Sequence, residues 1–395
     1  MGKREKRDIL PGIKRNVFFL GLVSLFTDVS SEMIYPLVPI FLTAVLGTPV
    51  AIVGLIEGIA ESTASLLKTF SGWLSDRYAR RKPFVLGGYS LSALGKLLLS
   101  VAFVWPVVLA ARFVDRLGKG IRTSTRDALI ADETDVAHRG RAFGFHRAMD
   151  TAGAVIGPVI ALFLMAALKE QYRLIFLLAF FPAALGVGLL FFFVKERMRV
   201  GSLQAGEVPR LELAGFDKSF KLLLLIIIVF GLGNSSDAFL ILRAKDLGLS
   251  ATLVVLAYVL YNIVYAAFAM PAGILSDRVG RKRLMVGGLL IFAMVYFAFA
   301  LASKAIYVWP LFAIYGFYIA MTEGVGRALV ADIVSSERRG TALGLYHTAV
   351  GLTTLAASLI AGLLWTYIGA FAPFIYGGAM SLIASLMFIA IMPEL

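Results

Sequence analysis

Apolar residues run along this 395-residue chain in long blocks separated by short polar stretches. A bilayer core about 30 Å thick takes about 20 helical residues to cross, and the blocks reach that length. Sectioning the chain at its polar breaks predicts twelve membrane-spanning helices: near 16–45, 50–75, 84–104, 106–132, 139–168, 172–194, 219–245, 250–275, 284–302, 305–332, 339–367 and 370–392. The predicted fold class is an all-α membrane protein. The polar stretch 196–218, with Gly201, Gly206 and Pro209, divides the spans six and six. It reads as a cytoplasmic linker between an N-terminal six-helix bundle, 1–195, and a C-terminal one, 219–395.

The two halves repeat. Gly72-Trp73-Leu74-Ser75-Asp76-Arg77-Tyr78-Ala79-Arg80-Arg81-Lys82 returns as Gly273-Ile274-Leu275-Ser276-Asp277-Arg278-Val279-Gly280-Arg281-Lys282-Arg283, and Ser30-Ser31-Glu32 returns as Ser235-Ser236-Asp237. Val104-Trp105-Pro106 answers Val308-Trp309-Pro310, and Ala128 to Asp132 answers Ala328 to Asp332. A near-constant offset held across six spans indicates duplication. Two parallel six-helix repeats are the plan of one large class of secondary transporters, in which the substrate site lies at mid-membrane.

Composition supports the membrane reading: 59% of residues are hydrophobic, against about 45–50% in soluble domains. The net charge of +13 would suggest a nucleic-acid partner in a soluble protein. Here the cations sit in alternate short loops: Lys3 to Arg15, Arg77 to Lys82, Arg139 and Arg141, Lys195 to Lys221, Arg278 to Arg283, and Arg338 and Arg339. Cations so placed set topology, and put both termini and both marker loops in the cytoplasm. The reading is a multi-pass protein of the inner (plasma) membrane, monomeric, with no nucleic-acid partner. The basic start, Met1 to Arg7, followed by an apolar run could pass for a signal peptide, but the run is too long and contains Asp28 and Glu32. With no Cys there is no thiolate chemistry and no Cys-held metal. No phosphate-binding Gly-x-x-x-x-Gly-Lys-Ser/Thr loop occurs, and no Ser-His-acid set at a known spacing. No cofactor, no metal and no enzymatic activity are expected.

The doubled Gly-x-x-x-Asp-Arg-x-Gly-Arg-Lys loop resembles the signature that follows helix 2 in the major facilitator superfamily, and the twelve-span plan resembles that family over essentially the whole chain. Ala79 stands where the first copy would carry Gly; Gly280 keeps the pattern. The resemblance implies that Gly72, Asp76, Arg77 and Arg81, with Gly273, Asp277, Arg278 and Lys282, form a cytoplasmic conformational latch. Asp28 with Pro36 is similar to the helix-1 motif of the family's exporters, and Arg112 to a helix-4 arginine implicated in proton coupling. Gly153, Gly157 and Pro158 resemble an antiporter motif whose final glycines are missing here, Ala161 standing for the first. Read physically, the same glycines let a neighbouring helix approach closely and Pro158 bends the span.

Ionisable residues at membrane depth are costly unless they face a cavity or a partner. Asp28 and Glu32, and Glu57 and Glu61, lie one helical turn apart; Arg112, Asp115 or Arg116, Lys119 and Arg122 fall on one stripe. Lys68, Lys96, His146, Arg147 and Asp150 join them in the first half. A carboxylate that prefers to be neutral when buried and charged beside an arginine can carry a proton. Asp28, Glu32, Glu57, Glu61 and Asp150 are therefore proton-coupling candidates. Lys96, Arg112, Asp115, Arg116, Lys119, His146 and Arg147 are substrate-binding candidates, faced by Asp237, Tyr258, Tyr261 and Asn262 from the second half. The competing reading is closed structural ion pairs, since six acids and six bases balance.

Together these features predict a proton-coupled transporter working by alternating access. Its partners are a small molecule, protons and the lipid bilayer. Export of an organic anion, zwitterion or metal chelate is the leading reading. A multidrug exporter of lipophilic cations and a proton-coupled uptake symporter are the alternatives.

Overall fold

Helix forms in each of the twelve predicted segments, but the first and seventh are broken within the membrane-length run. The computed structural model describes the backbone of residues 13–77, 80–134, 138–195, 213, 215–334 and 339–392, and their side chains except at 69, 72–77, 139, 140, 339 and 340. The first helix, α1 (Arg15–Ile34), stops at Tyr35 and Pro36; the proline ring has no N–H to donate and crowds the preceding turn. The chain resumes as α2 (Leu37–Ile40) and a π-helical turn, Phe41–Val45. Next come α3 (Val50–Arg77), α4 (Lys82–Ser100), α5 (Trp105–Glu133), α6 (Arg139–Ala167) and α7 (Tyr172–Phe193). The α6 helix runs unbroken through Pro158. The seventh segment splits into α8 (Lys218–Gly233) and α9 (Ala238–Asp246), with Asn234, Ser235 and Ser236 non-helical between them. The chain closes with α10 (Ala251–Val279), α11 (Arg281–Leu301), α12 (Val308–Ile333), α13 (Arg339–Tyr367) and α14 (Ala372–Ile391).

Among the described residues, ten stretches are long and apolar enough to cross a membrane by length and composition. The predicted spans missing from that set are α4 and α5. In α5 the reason is its row of Arg112, Asp115, Arg116, Lys119, Arg122, Arg126 and Asp127; in α4 it is Lys82, Lys96 and a run of Gly and Ser.

Exposure is inverted relative to a water-soluble protein. Phe163, Phe192, Met270 and Leu301 are 72%, 73%, 75% and 82% exposed, whereas Lys96 is 0% exposed. Apolar side chains outside and charges inside suit lipid as the surrounding solvent. The protein is an integral, multi-pass membrane protein.

The helices form two compact units. The described residues of Met1–Tyr35 and Leu67–Pro209 make one, holding α1, the end of α3, and α4 to α7; those of Pro36–Leu66 and Arg210–Leu395 make the other. The linker divides the sequence after 195, whereas Pro36–Leu66 packs with the second group in space. In the first unit α1 packs on α6 and α7, and α4 on α5 and α7. The α4–α5 contact is backbone to backbone. A Cβ at Gly118 would fall on the Gly88 carbonyl oxygen and 2.8 Å from the Ser92 nitrogen; one at Gly95 would lie 2.9 Å from the Ala111 carbonyl oxygen. In the second unit the pairs are α10 with α12, α11 with α12 and α14, and α8 with α13 and α14. There Phe230, Phe292, Tyr296, Tyr315 and Phe374 form a continuous aromatic core.

Since overpacking costs about 1–3 kcal/mol, Gly118→Val is expected to lower the thermal stability of the purified protein in detergent. Gly87→Ala on the same pair of helices, where an added Cβ meets nothing within 4 Å, is expected to leave the melting temperature unchanged. Equal melting temperatures for the two variants would contradict the backbone contact.

Candidate functional site

The α4–α5 contact brings two predicted residues together. Lys96 Nζ lies 2.6 Å from Asp115 Oδ1 and donates to Ser31 Oγ of α1 at 3.1 Å. Asp115 Oδ2 lies 3.8 Å from Arg116 Nε and 4.0 Å from Arg112 Nη1. Three cations thus gather on one carboxylate. Both guanidinium groups also lie over the ring of Tyr35, at 5.6 Å for Arg112 and 5.8 Å for Arg116, within cation–π range. Tyr35 occupies the break between α1 and α2, so the interruption at Pro36 places an aromatic face beside the cations. Nothing in the apolar pattern marked Tyr35; the Pro after it was the available signal.

About two turns further along α5, Arg122 sits 4.5 Å above the Tyr89 ring and donates to Ser92 Oγ at 2.6 Å. Arg122 and Arg126 lie toward the end of α5 that leads to Glu133. Arg122 is buried, while Arg126 pairs with Asp127 at 2.9 Å and donates to Ser24 Oγ at 3.2 Å. Ser24 donates in turn to Asp150, whose other oxygen lies 3.6 Å from His146 Nδ1. A chain of polar contacts therefore links α5, α1 and α6.

Gly153 and Gly157 act as the close-packing reading expects. A Cβ at Gly153 would lie 2.8 Å from Asp28 Cβ, and one at Gly157 2.8 Å from Glu32 Cβ and 2.6 Å from the Val29 carbonyl oxygen. Both seat α6 against the acidic face of α1. The charged groups that act on Asp28 are Asp150, Arg122, Lys119 and Glu32. Asp28, Glu32, Lys119 and Asp150 thus share one neighbourhood of the first unit, whereas Arg147 is exposed. Glu57, buried, and Glu61, half-buried, belong to the second unit.

In that unit Asp237 stands at the α8–α9 break. Tyr315 Oη donates to its Oδ1 at 2.7 Å and Tyr261 Oη to its Oδ2 at 3.4 Å. Tyr258 stacks beside Tyr261, their ring centroids 5.4 Å apart. Asn262 donates to the Tyr258 carbonyl of its own helix at 3.1 Å. The sequence reading missed Tyr315 and Tyr318, which lie in the part of α12 before Glu323, where no charge marks them. Glu323 and Arg327, four apart, pair at 3.3 Å, and Tyr265 donates to Glu323 at 2.6 Å. Among the described residues no group of three His, Asp or Glu is placed to hold a metal ion.

The marker loops carry duplicated contacts. Arg81 lies 2.6 Å from Asp132, and Arg281 lies 2.9 Å from Asp332 and 3.5 Å from Asp277. Lys82 donates to the Phe191 carbonyl near the end of α7 at 2.9 Å; Lys282 donates to the Met392 carbonyl after α14 at 2.5 Å. Gly280 turns with φ +93°, a conformation cheap only without a Cβ. Gly273 and Arg278 lie in the last turns of α10, Arg278 exposed. Ala79 and the side chains at Gly72, Asp76 and Arg77 lie outside the described residues.

The sequence profile of the Major Facilitator Superfamily matches residues 20–241 and 222–395. A protein of Methanocaldococcus jannaschii described as an uncharacterized MFS-type transporter is 38% identical over 389 residues, 96% of this chain and 95% of the relative. The multidrug resistance protein MdtH of Aeromonas hydrophila is 25% identical, with 89% and 87% covered. Among solved structures, a D-xylose-proton symporter superposes with a TM-score of 0.76 at 19% identity, covering 96% of this chain and 97% of the other.

The geometry at Asp115 predicts an asymmetric cost. Asp115→Asn strands a fully buried lysine and is expected to destabilise the protein by about 3–5 kcal/mol. Lys96→Met leaves Asp115 two guanidinium neighbours and is expected to cost less. Thermal unfolding of both variants and of the double variant Lys96→Met with Asp115→Leu measures the difference; equal losses in the two single variants would refute it.

Proposed function

Because this chain belongs to the major facilitator superfamily of transporters, we propose that it is a proton-coupled secondary transporter. It works by alternating access and exports a small organic anion, zwitterion or metal chelate. The single observation that carries the reading is the gathering of Lys96, Arg112 and Arg116 on Asp115 beside Tyr35. Desolvating an ion costs several kcal/mol, so three cations held on one carboxylate at membrane depth favour an anionic guest. Lys96 and Asp115 hold α4 to α5; Arg112, Arg116 and Lys119 meet the acidic group of the substrate.

Asp28, Glu32 and Asp150 carry the coupling proton in the first unit, with Arg122 and Lys119 as the charged neighbours that respond to it and His146 in contact with Asp150. Protonation removes a carboxylate charge, loosens its hold on a neighbouring cation, and changes which conformation is favoured. Glu57 and Glu61 are the corresponding candidates on α3. The duplicated contacts of Arg81 with Asp132 and Arg281 with Asp332 support the two-repeat, twelve-crossing plan, with 196–218 as its linker. The marker loops, including Asp76 and Arg77, form the latch on the cytoplasmic side. Both termini lie in the cytoplasm, and the protein is a monomer of the inner (plasma) membrane.

Purified protein in liposomes under an imposed pH gradient tests direction and coupling. Export by antiport expects labelled organic anion to move against the proton flow, and Arg112→Ala and Asp28→Asn each to slow it at least tenfold. Net anion movement parallel to the protons would establish symport; transport of cationic dyes unaffected by organic anions would establish the multidrug reading. Asp76→Asn is expected to shift the balance of inward- and outward-facing states, read by cysteine accessibility, without changing which substrates are carried.

A further inference from the structure

We infer that Asp237 and the tyrosines around it form a subsite for an organic ammonium group. The inference rests on the transporter reading above and deepens it: the cargo, on this geometry, carries an amine.

Three observations carry it. The first is the helix break. The α8 helix ends at Gly233 and α9 begins at Ala238, inside one apolar stretch. Irregular backbone at membrane depth is tolerated where it is buried in protein or lines a cavity, and broken helices are the recurrent sites of ligand and ion binding in transporters. The break is stitched locally: Ser236 N donates to Ser358 Oγ at 3.2 Å and Ala238 N to Ser236 Oγ at 3.3 Å. Asp237 is the carboxylate at this point, and it is half-buried, hence reachable.

The second is the pair of tyrosine hydroxyls. Both donate to the carboxylate, Tyr315 at 2.7 Å and Tyr261 at 3.4 Å. The third is the rings themselves. Tyr258, Tyr261, Tyr315 and Tyr318 follow one another at centroid separations of 5.4, 5.5 and 5.2 Å. Aromatic faces carry negative potential and attract organic cations, most of all where water is sparse. A site built only for a proton has no use for them.

Thermal stabilisation of the intact protein in detergent by three probes tests this. They are 2-phenylethylamine, 3-phenylpropionate and phenylalanine, which share a ring and differ in their charged ends. The amine and the amino acid are expected to stabilise the wild type. Asp237→Asn is expected to weaken the amine at least tenfold and Tyr315→Phe at least threefold, neither changing the response to 3-phenylpropionate. No effect of the amine on the wild type, or an undiminished effect in Asp237→Asn, overturns the inference. Should Asp237→Asn fail to fold, an unchanged amine response in Tyr315→Phe overturns it alone. An Asp237→Asn variant that loses only the pH dependence of transport, with no amine response in the wild type, assigns the site to a proton and overturns it too. Failure of the anion reading is separate: it shows as a 3-phenylpropionate response untouched by Arg112→Ala.

Discussion

A charged group inside a bilayer must be paired, hydrogen-bonded or put to use, and the first unit is arranged around that requirement. Its centre is the approach of α4 and α5 at Gly88, Gly95 and Gly118. Without side chains in the way, the backbones come close enough for Lys96 to reach Asp115, and a fully buried ammonium acquires its counter-ion. The most polar helix, α5, is thereby tied to a partner that neutralises part of its charge. Arg112, Arg116, Arg122 and Arg126 of the same helix are spread over Tyr35, Tyr89, Ser92 and Asp127.

The second unit meets the same constraint differently. Few of its charges lie at depth, and its interior is aromatic, from Phe230 through Phe292 and Tyr296 to Phe374. Asp237 is satisfied by hydroxyls from α10 and α12. Ser30-Ser31-Glu32 in the first unit and Ser235-Ser236-Asp237 in the second are similar in sequence, yet the first unit gathers cations and the second rings.

The loops between helices kept their original work. Arg81 and Arg281 each hold an aspartate at the end of a helix, Asp132 and Asp332, while Lys82 and Lys282 each cap a carbonyl at the end of a later helix. Cations near helix C-termini answer the exposed carbonyls and the negative end of the dipole. Contacts of this sort do not depend on what lines the interior, which explains why they match while the linings diverge.

The sequence by itself determined the helical class, the bounds of the long apolar helical segments to within a few residues, and which residues are chemically out of place in lipid. These follow from local facts: the length of apolar runs, the period of the helix, and the cost of a charge in hydrocarbon. It did not determine partners. That Lys96 meets Asp115, that Gly157 seats against Glu32, and that Tyr315 reaches Asp237 depend on which helix faces which, and periodicity gives a face without naming its neighbour. The breaks at Tyr35–Pro36 and Asn234–Ser236 were likewise hidden inside apolar runs, although Pro36 was visible. Only the tertiary structure placed Pro36–Leu66 with the second unit, because a helix joins whichever surface buries its small-residue face, as Gly54 does against Ser358, and not the group nearest in the chain.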